Sequence, residues 1–499
     1  MEDNKMKRTF ALILISVLLC MTFAFVACNP GDRDIGGWDE DKTNIVYYTW
    51  ASDTEMAMFE KLVAAFEEKY TDINVIMKKA GTDYYNDLEL MLTGRNSPDI
   101  VQMKPGDIEK FLRAGALISL QDYIDKSIAD GIFSEDMIWE YNDGYRYNPE
   151  TKIRGNHEDD IYSLIKDFSC DFVLNYNKKL VTNTMKTSAD FTYPKDSEGY
   201  PSQNEPMTWS QYMKFAKEMQ KNNISGASLD NEPYQQLLEW IQQGGGSLWS
   251  ADHKSVVNIK TDPKVRAAFD YYRMLRDEAT NSPTFNANNT TLTTAEYSTR
   301  LALTNSVQVG PAQLKAKQTA SIFYGRWAAS SYNVDGDNCE VGFAAPPVPN
   351  GLEVGDTTKY AGITAMVGTS ISAKSKNKDA AWKFIEYYFT EGQKMYAEQC
   401  FNIPGNRKIA NSTFLNSDNI SEKDKEINRF FYDLALNHGF VIEFNKYLSQ
   451  KSVEQVLNAQ LSAYFAKSKN KPFNNADWEK CLDTIQEQLQ SKLDRATRN

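Results

Sequence analysis

The sequence predicts an α/β fold built on a mainly parallel sheet covered on both faces, and three stretches near its start carry that prediction. Ile45-Val46-Tyr47-Tyr48-Thr49-Trp50, Ile73-Asn74-Val75-Ile76-Met77 and Pro98-Asp99-Ile100-Val101-Gln102-Met103 are short runs rich in β-branched and apolar residues. Between the first two, Phe59, Leu62, Val63, Phe66 and Tyr70 recur with the period of one buried helix face. Strands separated by helices cannot be joined as hairpins, so they pair in parallel and need cover on both sides.

A second helix is expected around Tyr84 to Leu92. A third follows Asp107, whose carboxylate can cap a segment carrying Ile108, Phe111 and Leu112 before Gly115 stops it. Further on, Thr208 or Ser210 opens a helix at Trp209, and Tyr234 to Gln243 forms another that ends at Gly244-Gly245-Gly246. Helical periods return over 379–396 and 452–466, and at the end of the chain through Trp478, Leu482, Ile485, Leu489 and Leu493. The stretch from Asn281 to Thr294 reads as a polar surface loop. Parallel α/β sheets collect ligands at the carboxyl ends of their strands. Here those ends are Trp50 to Thr54 and Gln102 to Asp107.

The first residues read as an export signal. Lys5, Lys7 and Arg8 precede an apolar run from Phe10 to Ala27, and the chain turns polar at Asn29. A spanning helix needs about 20 apolar residues, and this run, interrupted by Ser16 and Thr22, fits cleavage better than a retained anchor. Phe25-Val26-Ala27-Cys28 resembles the bacterial lipobox, with Phe25 where leucine is usual, which makes Cys28 the candidate for lipidation. Residues 28–43, rich in Gly and Asp, are expected to be a tether on that anchor, with folded sequence from Asn44.

The formal net charge of −12 argues against a nucleic-acid partner, whose phosphates would be repelled. Cys170, Cys339, Cys400 and Cys481 lie far apart without CxxC spacing, so neither zinc nor a disulfide framework is indicated.

Five further stretches stand in a telling order. Gly94-Arg95-Asn96-Ser97-Pro98-Asp99-Ile100-Val101 leads to Gly115-Ala116-Leu117-Ile118-Ser119-Leu120. Ile161-Tyr162-Ser163-Leu164-Ile165 precedes Leu174-Asn175-Tyr176-Asn177-Lys178. Then come Thr208-Trp209, Tyr324-Gly325-Arg326-Trp327, and Ser375-Lys376-Asn377-Lys378 ahead of Ala380-Ala381-Trp382-Lys383-Phe384-Ile385. In this order they resemble the extracellular solute-binding proteins of the maltose-binding type, over nearly the whole mature chain. Ser163 and Ile165 depart from the family's "YGLP" crossing, and Gly325 to Trp327 is similar to its "GxW" return.

The resemblance implies a two-lobe, periplasmic-binding-protein-like α/β fold with a hinge and a central ligand cleft. Lobe 1 is expected at 44–160 and 326–390, and lobe 2 at 161–325 and 391–496. The hinge strands fall near Ile161 to Ile165 and Ser321 to Gly325. The resemblance also implies a lipoprotein on the outer face of the cell membrane that captures a carbohydrate and hands it to the transmembrane subunits of an ABC importer, working as a monomer without a cofactor. A non-sugar solute and a sensor-associated role are the alternatives, and a cell-surface carbohydrate-active enzyme a more distant one.

The residues themselves favour capture over catalysis. Only His157, His253 and His438 are present, with no metal-ligand spacing. Gly368-Thr369-Ser370-Ile371-Ser372 misses the nucleophile elbow at its last position, and Gly244-Gly245-Gly246 lacks the lysine of a phosphate loop. Glu158, Asp159 and Asp160 read as a solvated loop rather than a glycosidase pair. A sugar presents a flat C–H face and a rim of hydroxyls, so its binder needs aromatic rings and planar polar groups. Candidates at the expected cleft are Trp50, Asp53, Gln102, Lys104 and Asp107 from the strand ends. Asp167, Trp240, Gln243, Trp249, Tyr324, Arg326 and Trp327 come from the crossings and lobe 2, and Gly362 resembles a family loop whose backbone approaches ligand.

Overall fold

The computed structural model describes residues 34–498 apart from 82, 95, 221–223, 231–232, 278–301, 306–309, 332–334, 337–338, 365 and 469–473. The export signal, Cys28 and the polar loop at 281–294 lie outside the described residues. Contacts divide the chain into two compact units, Met1–Val101 with Lys374–Phe384, and Gln102–Ala373 with Ile385–Asn499.

The first unit is the expected strand-helix-strand opening. Strand Thr43–Thr49 pairs in parallel with Ile73–Lys79 along its whole length, from Thr43↔Ile73 to Thr49↔Lys79. On its other side Tyr47 and Tyr48 pair with Ile100 and Val101, again in parallel. Helix Asp53–Lys69 buries Met56, Phe59, Leu62, Val63 and Phe66, the face that its sequence period marks. Phe384 completes this core, meeting Phe66 edge-on at 5.1 Å and Tyr47 at 6.2 Å.

Two details complete this unit. Ser52 caps the first helix, its hydroxyl accepting from the Glu55 amide while the Glu55 carboxylate accepts from the Ser52 amide. The end of the expected tether is also held in the fold, because Ile35 and Met77 exchange both backbone hydrogen bonds at 2.9 Å and Asn74 donates to the Gly37 carbonyl at 2.7 Å.

Besides two small sheets, Ala361–Ile363 with Gly439–Val441 and Arg146–Asn148 with Ile153–Arg154 and Asp160–Ile161, the second unit carries strands of two larger sheets whose pairing there is not mainly parallel. In one, Leu164–Phe168 lies between Val367–Ile371 and Ile403–Pro404 and is antiparallel to both. The other runs in the order Ala302–Asn305, Ala227–Asp230, Ser321–Phe323, Leu174–Asn177, Cys339–Ala344, Asp335–Gly336. Its first two junctions are parallel, and its later ones, around Leu174–Asn177, are antiparallel. Thr208 caps helix Trp209–Met219 in a capping box with Gln211. The final helix, Asn475–Ala496, buries Trp478, Leu482, Ile485, Leu489 and Leu493 as its period predicts.

The connections between these two sheets lie just beyond the strands expected at the crossings. Leu164 and Ile165 are hydrogen-bonded strand residues paired with Thr369 and Gly368, so the chain is still inside the first sheet there. It leaves after Phe168 and enters the second sheet at Leu174. Residues 169–173 are therefore the connection between these two sheets.

Candidate functional site

Three connecting segments of the second unit meet at one carboxylate, Asp171. Thr364 donates its hydroxyl to Asp171 Oδ2 at 2.8 Å, and the Trp327 indole N–H donates to Oδ1 at 3.0 Å. The Asp171 amide donates to the Gly362 carbonyl at 3.3 Å, and Cys170 bridges to Ile363. Close by, the Arg326 amide donates to the Ser169 hydroxyl and the Tyr324 amide to the Val173 carbonyl. Gly325 lets the return segment come this near, since a Cβ there would overlap Asp171 Oδ1 and Ser169 Oγ.

Asp171 and Trp327 remain partly accessible, while Tyr324 and Thr364 are buried. Tyr324 meets the Trp327 ring edge-on at 5.3 Å and fixes its orientation. Burial pushes the Asp171 carboxyl up to about 6; its hydrogen bonds from Thr364 and Trp327 and the charge of Lys104 oppose, and Asp167 adds. Near neutral pH it is an anion with its donors already placed, beside an aromatic ring whose plane is set. The carboxylate can accept hydrogen bonds from hydroxyls while the ring covers a flat apolar face.

The structure thus brings together Tyr324, Trp327 and Gly362 of the expected residues. Lys104, partly exposed, acts on Asp171 through its charge. Others take structural positions. Trp240 is buried in the core against Trp209 and Tyr271, with ring centroids 6.1 and 4.6 Å away. Trp249 is buried against Tyr234. Arg326 points into the unit, donating to Asn428 at 2.8 Å and to Asp424 at 3.0 Å, since a buried guanidinium must find acceptors. Asp167 is buried within 2.8 Å of Lys166 and accepts from Asn402. Gln243 spends its amide on the Tyr360 carbonyl at 2.7 Å. Gln102 is fully buried in its strand, and Asp107 is buried without capping the short helix Glu109–Arg113.

In the other unit, Trp50 is partly exposed and packs edge-on to Tyr84 at 4.6 Å, and Asp53 is ion-paired with Lys79.

Asp171, Thr364 and the buried Glu239 were not expected. Asp171 is the lone charge between Phe168 and Leu174, and an acid inside an apolar run is the signal that marks it. A separate cavity of about 330 Å³ opens along helix Glu422–His438, lined among others by Gln203, Asn204, Glu426, Arg429 and Asp433. None of the expected residues lines it. Among the described residues no group of three or more side chains comes together to hold a metal, and no helix is long and apolar enough to cross a membrane.

Comparison with known proteins agrees with this architecture. The melibiose/raffinose/stachyose-binding protein MelE of Bacillus subtilis is 33% identical over 95 residues, which cover 19% of this chain and about a fifth (21%) of that protein. The ABC substrate-binding protein of Listeria monocytogenes in complex with cycloalternan superposes with a TM-score of 0.64 at 19% identity, covering 92% of this chain and 99% of that one. The UgpB protein of Mycobacterium tuberculosis in complex with glycerophosphocholine also gives 0.64, at 16% identity, over 91% and 99%. These likenesses show the fold, an α/β fold of the two-lobe periplasmic-binding-protein type. Residues 50–395 match the family of bacterial extracellular solute-binding proteins, and the chain belongs to that family.

Proposed function

We propose that the protein is the capture component of a bacterial ABC importer and that it binds a carbohydrate, an oligosaccharide by preference, against Trp327 and Asp171. The observation that carries this reading is the indole donating to a partly accessible carboxylate where the connections between two sheets meet. A sugar ring laid on Trp327 buries its C–H face while its hydroxyls donate to Asp171. Burial at about 25 cal/mol/Å² supplies a few kcal/mol, and the hydrogen bonds supply orientation. The sugar named in the MelE relative supports the ligand class; the glycerophosphocholine held by a structural relative keeps a second class in view.

In this reading the protein binds and releases its ligand unchanged. Lobes joined by residues 169–173 and the return segment at 324–327 close on the ligand, because contacts made only in the closed form are what shift the population toward it. Trp50 and Asp53 stay proposed contacts from the opening strand-helix unit. The protein works as a monomer and meets the importer's transmembrane subunits in the closed form.

A thermal-shift screen over mono- and oligosaccharides, glycerophosphodiesters and amino acids tests the ligand class. A sugar at a hundred times its dissociation constant adds about 2.7 kcal/mol of stability, and chromatography recovers it intact. Stabilisation by a glycerophosphodiester alone would overturn the carbohydrate reading, and hydrolysis of the sugar would overturn capture.

Export and anchoring are proposed on Val26-Ala27-Cys28. Two acyl chains hold a protein stably at a membrane where one gives marginal binding. Intact-mass analysis of membrane-extracted protein is expected to show a chain beginning at an acylated Cys28, and a soluble product cut at another position rejects it.

A further inference from the structure

Behind the proposed ligand site lies an acid that the site itself does not use. Glu239, on helix Tyr234–Gln243, is fully buried, and among the described residues no cation pairs with it. Its Oε1 accepts from Gln243 Nε2 at 3.3 Å. Its Oε2 makes no well-aligned hydrogen bond among the described residues and lies against the Gly362 backbone, where a Cβ would stand 2.8 Å away and where the nearby amide acts on it only weakly. Gln243 extends the grip by donating to the Tyr360 carbonyl. The helix is thus tied to the segment 360–364 through Gln243 at Tyr360 and lies against it at Gly362, and that segment holds Asp171 on its other side through the Gly362 carbonyl and the Thr364 hydroxyl.

A carboxylate anion calls for several donors, and a neutral acid for fewer. This pocket offers few. Burial pushes Glu239 far above the usual carboxylate range, backbone hydrogen bonding from Gly362 opposes, and the charge of Asp171 adds to the rise. The neighbouring titratable groups bring no counter-charge against it. Cys170, on the connecting segment, is itself pushed well up by burial and by Glu239. Tyr360, on the approach to Gly362, is raised by burial and stacks on the His438 ring at 4.6 Å. The charge of Lys359 bears on Cys170, and those of Lys104 and Asp167 bear on Asp171. From the segment after strand Gly439–Val441, the residue that reaches Gly362 is the apolar Ile442.

We propose that Glu239 is a positioning residue that works as a neutral acid: protonated, it seats the Gly362 strand that orients Asp171, and on ionisation it sets a second negative charge behind Asp171 and loosens the ligand site. The inference rests on the reading of Trp327 and Asp171 as that site.

The test compares the full chain with Glu239→Gln, which keeps the shape and the neutral charge, and Glu239→Ala, which removes the contact. Urea unfolding between pH 4 and 9 without ligand comes first. A folded-state acid raised above its unfolded value stabilises below the unfolded value and loses that contribution as pH rises toward the folded one. The folding constant of Glu239→Gln is therefore expected to gain about tenfold on wild type for each pH unit above about 4.3, until Glu239 titrates. Parallel profiles would mean an ionised Glu239 and end the proposal.

Affinity for raffinose and cycloalternan is then measured over the same range. Glu239→Gln is expected to stay within threefold of wild type at pH 6 and to lack the alkaline loss that wild type shows, while Glu239→Ala is at least tenfold weaker throughout. An amide variant as weak as the alanine variant, or one with the same alkaline loss as wild type, overturns the positioning role. If wild type binds neither sugar, the ligand reading fails on those sugars and the positioning role falls with it, while the unfolding profile separately decides whether Glu239 is neutral.

Discussion

Asp171→Ala is expected to lower ligand affinity about a hundredfold and to leave the protein folded. A hydrogen bond to a charged group contributes about 1.5–3 kcal/mol, and every 1.4 kcal/mol is about tenfold in affinity. Loss of the carboxylate removes the acceptor for ligand hydroxyls and also the anchor of the Trp327 indole, so two contributions vanish together. Asp171→Asn keeps the shape and one acceptor, and about a tenfold loss is expected from it.

The pH dependence separates charge from shape. With its carboxyl raised to about 6, wild type gains affinity as pH rises through that value, because the anion is the better acceptor. The asparagine variant is flat there. Stability runs the other way: the raised group favours folding below its unfolded value and loses that contribution as pH climbs toward 6. Asp171→Asn is accordingly expected to be the more stable protein at pH 7, by on the order of 2 kcal/mol. Calorimetric titration from pH 5 to 8 and urea unfolding at the two ends check both signs. Full affinity in Asp171→Ala removes this carboxylate from the ligand site.

The sequence reveals the fold best where one face of an element is buried and the other is wet. Phe59, Leu62, Val63 and Phe66 mark a helix by period alone, and so do Trp478, Leu482, Ile485, Leu489 and Leu493. Thr208 followed by Gln211 marks a helix start, since each side chain satisfies an amide that the first turn leaves open. Elements buried all round give no such signal. Leu164–Phe168 is buried at every position, so its pattern does not tell strand from crossing, and the connection is legible only from what the strand pairs with.

The same limit governs the site. Gln102 and Asp107 stand at a strand end, as ligand residues do in parallel sheets, yet both are buried in the second unit. Asp171 and Glu239 sit between apolar neighbours that the eye assigns to the core, and the assignment is sound for the neighbours. What singles out the two acids is the set of segments that meet at them, and that meeting depends on chain far away, at 324–327 and 360–364.

Tryptophan shows how far composition can go, and it sets the second large effect. Trp240 and Trp327 are equally suggestive in sequence, and the structure gives them opposite surroundings. Trp240 lies buried among Trp209, Tyr271 and Tyr272, and the Trp209–Tyr271 stack beside it has ring centroids 4.4 Å apart. Truncation to alanine removes the transfer energy of the indole and leaves a cavity that rigid aromatic neighbours cannot fill, at a cost of about 3–5 kcal/mol. For a protein whose net stability is about 5–15 kcal/mol, that is a large share. Trp327 is partly exposed, meets the Tyr324 ring edge-on and donates to Asp171. Its truncation is expected to cost about 1 kcal/mol in stability and at least about tenfold in affinity. Urea midpoints and sugar titrations on both variants therefore separate: Trp240→Ala unfolds early but binds within a few fold while folded, and Trp327→Ala holds its midpoint and binds weakly. The reverse pattern, a stable Trp240→Ala that no longer binds, would return Trp240 to the ligand surface and take the proposed site away from Asp171.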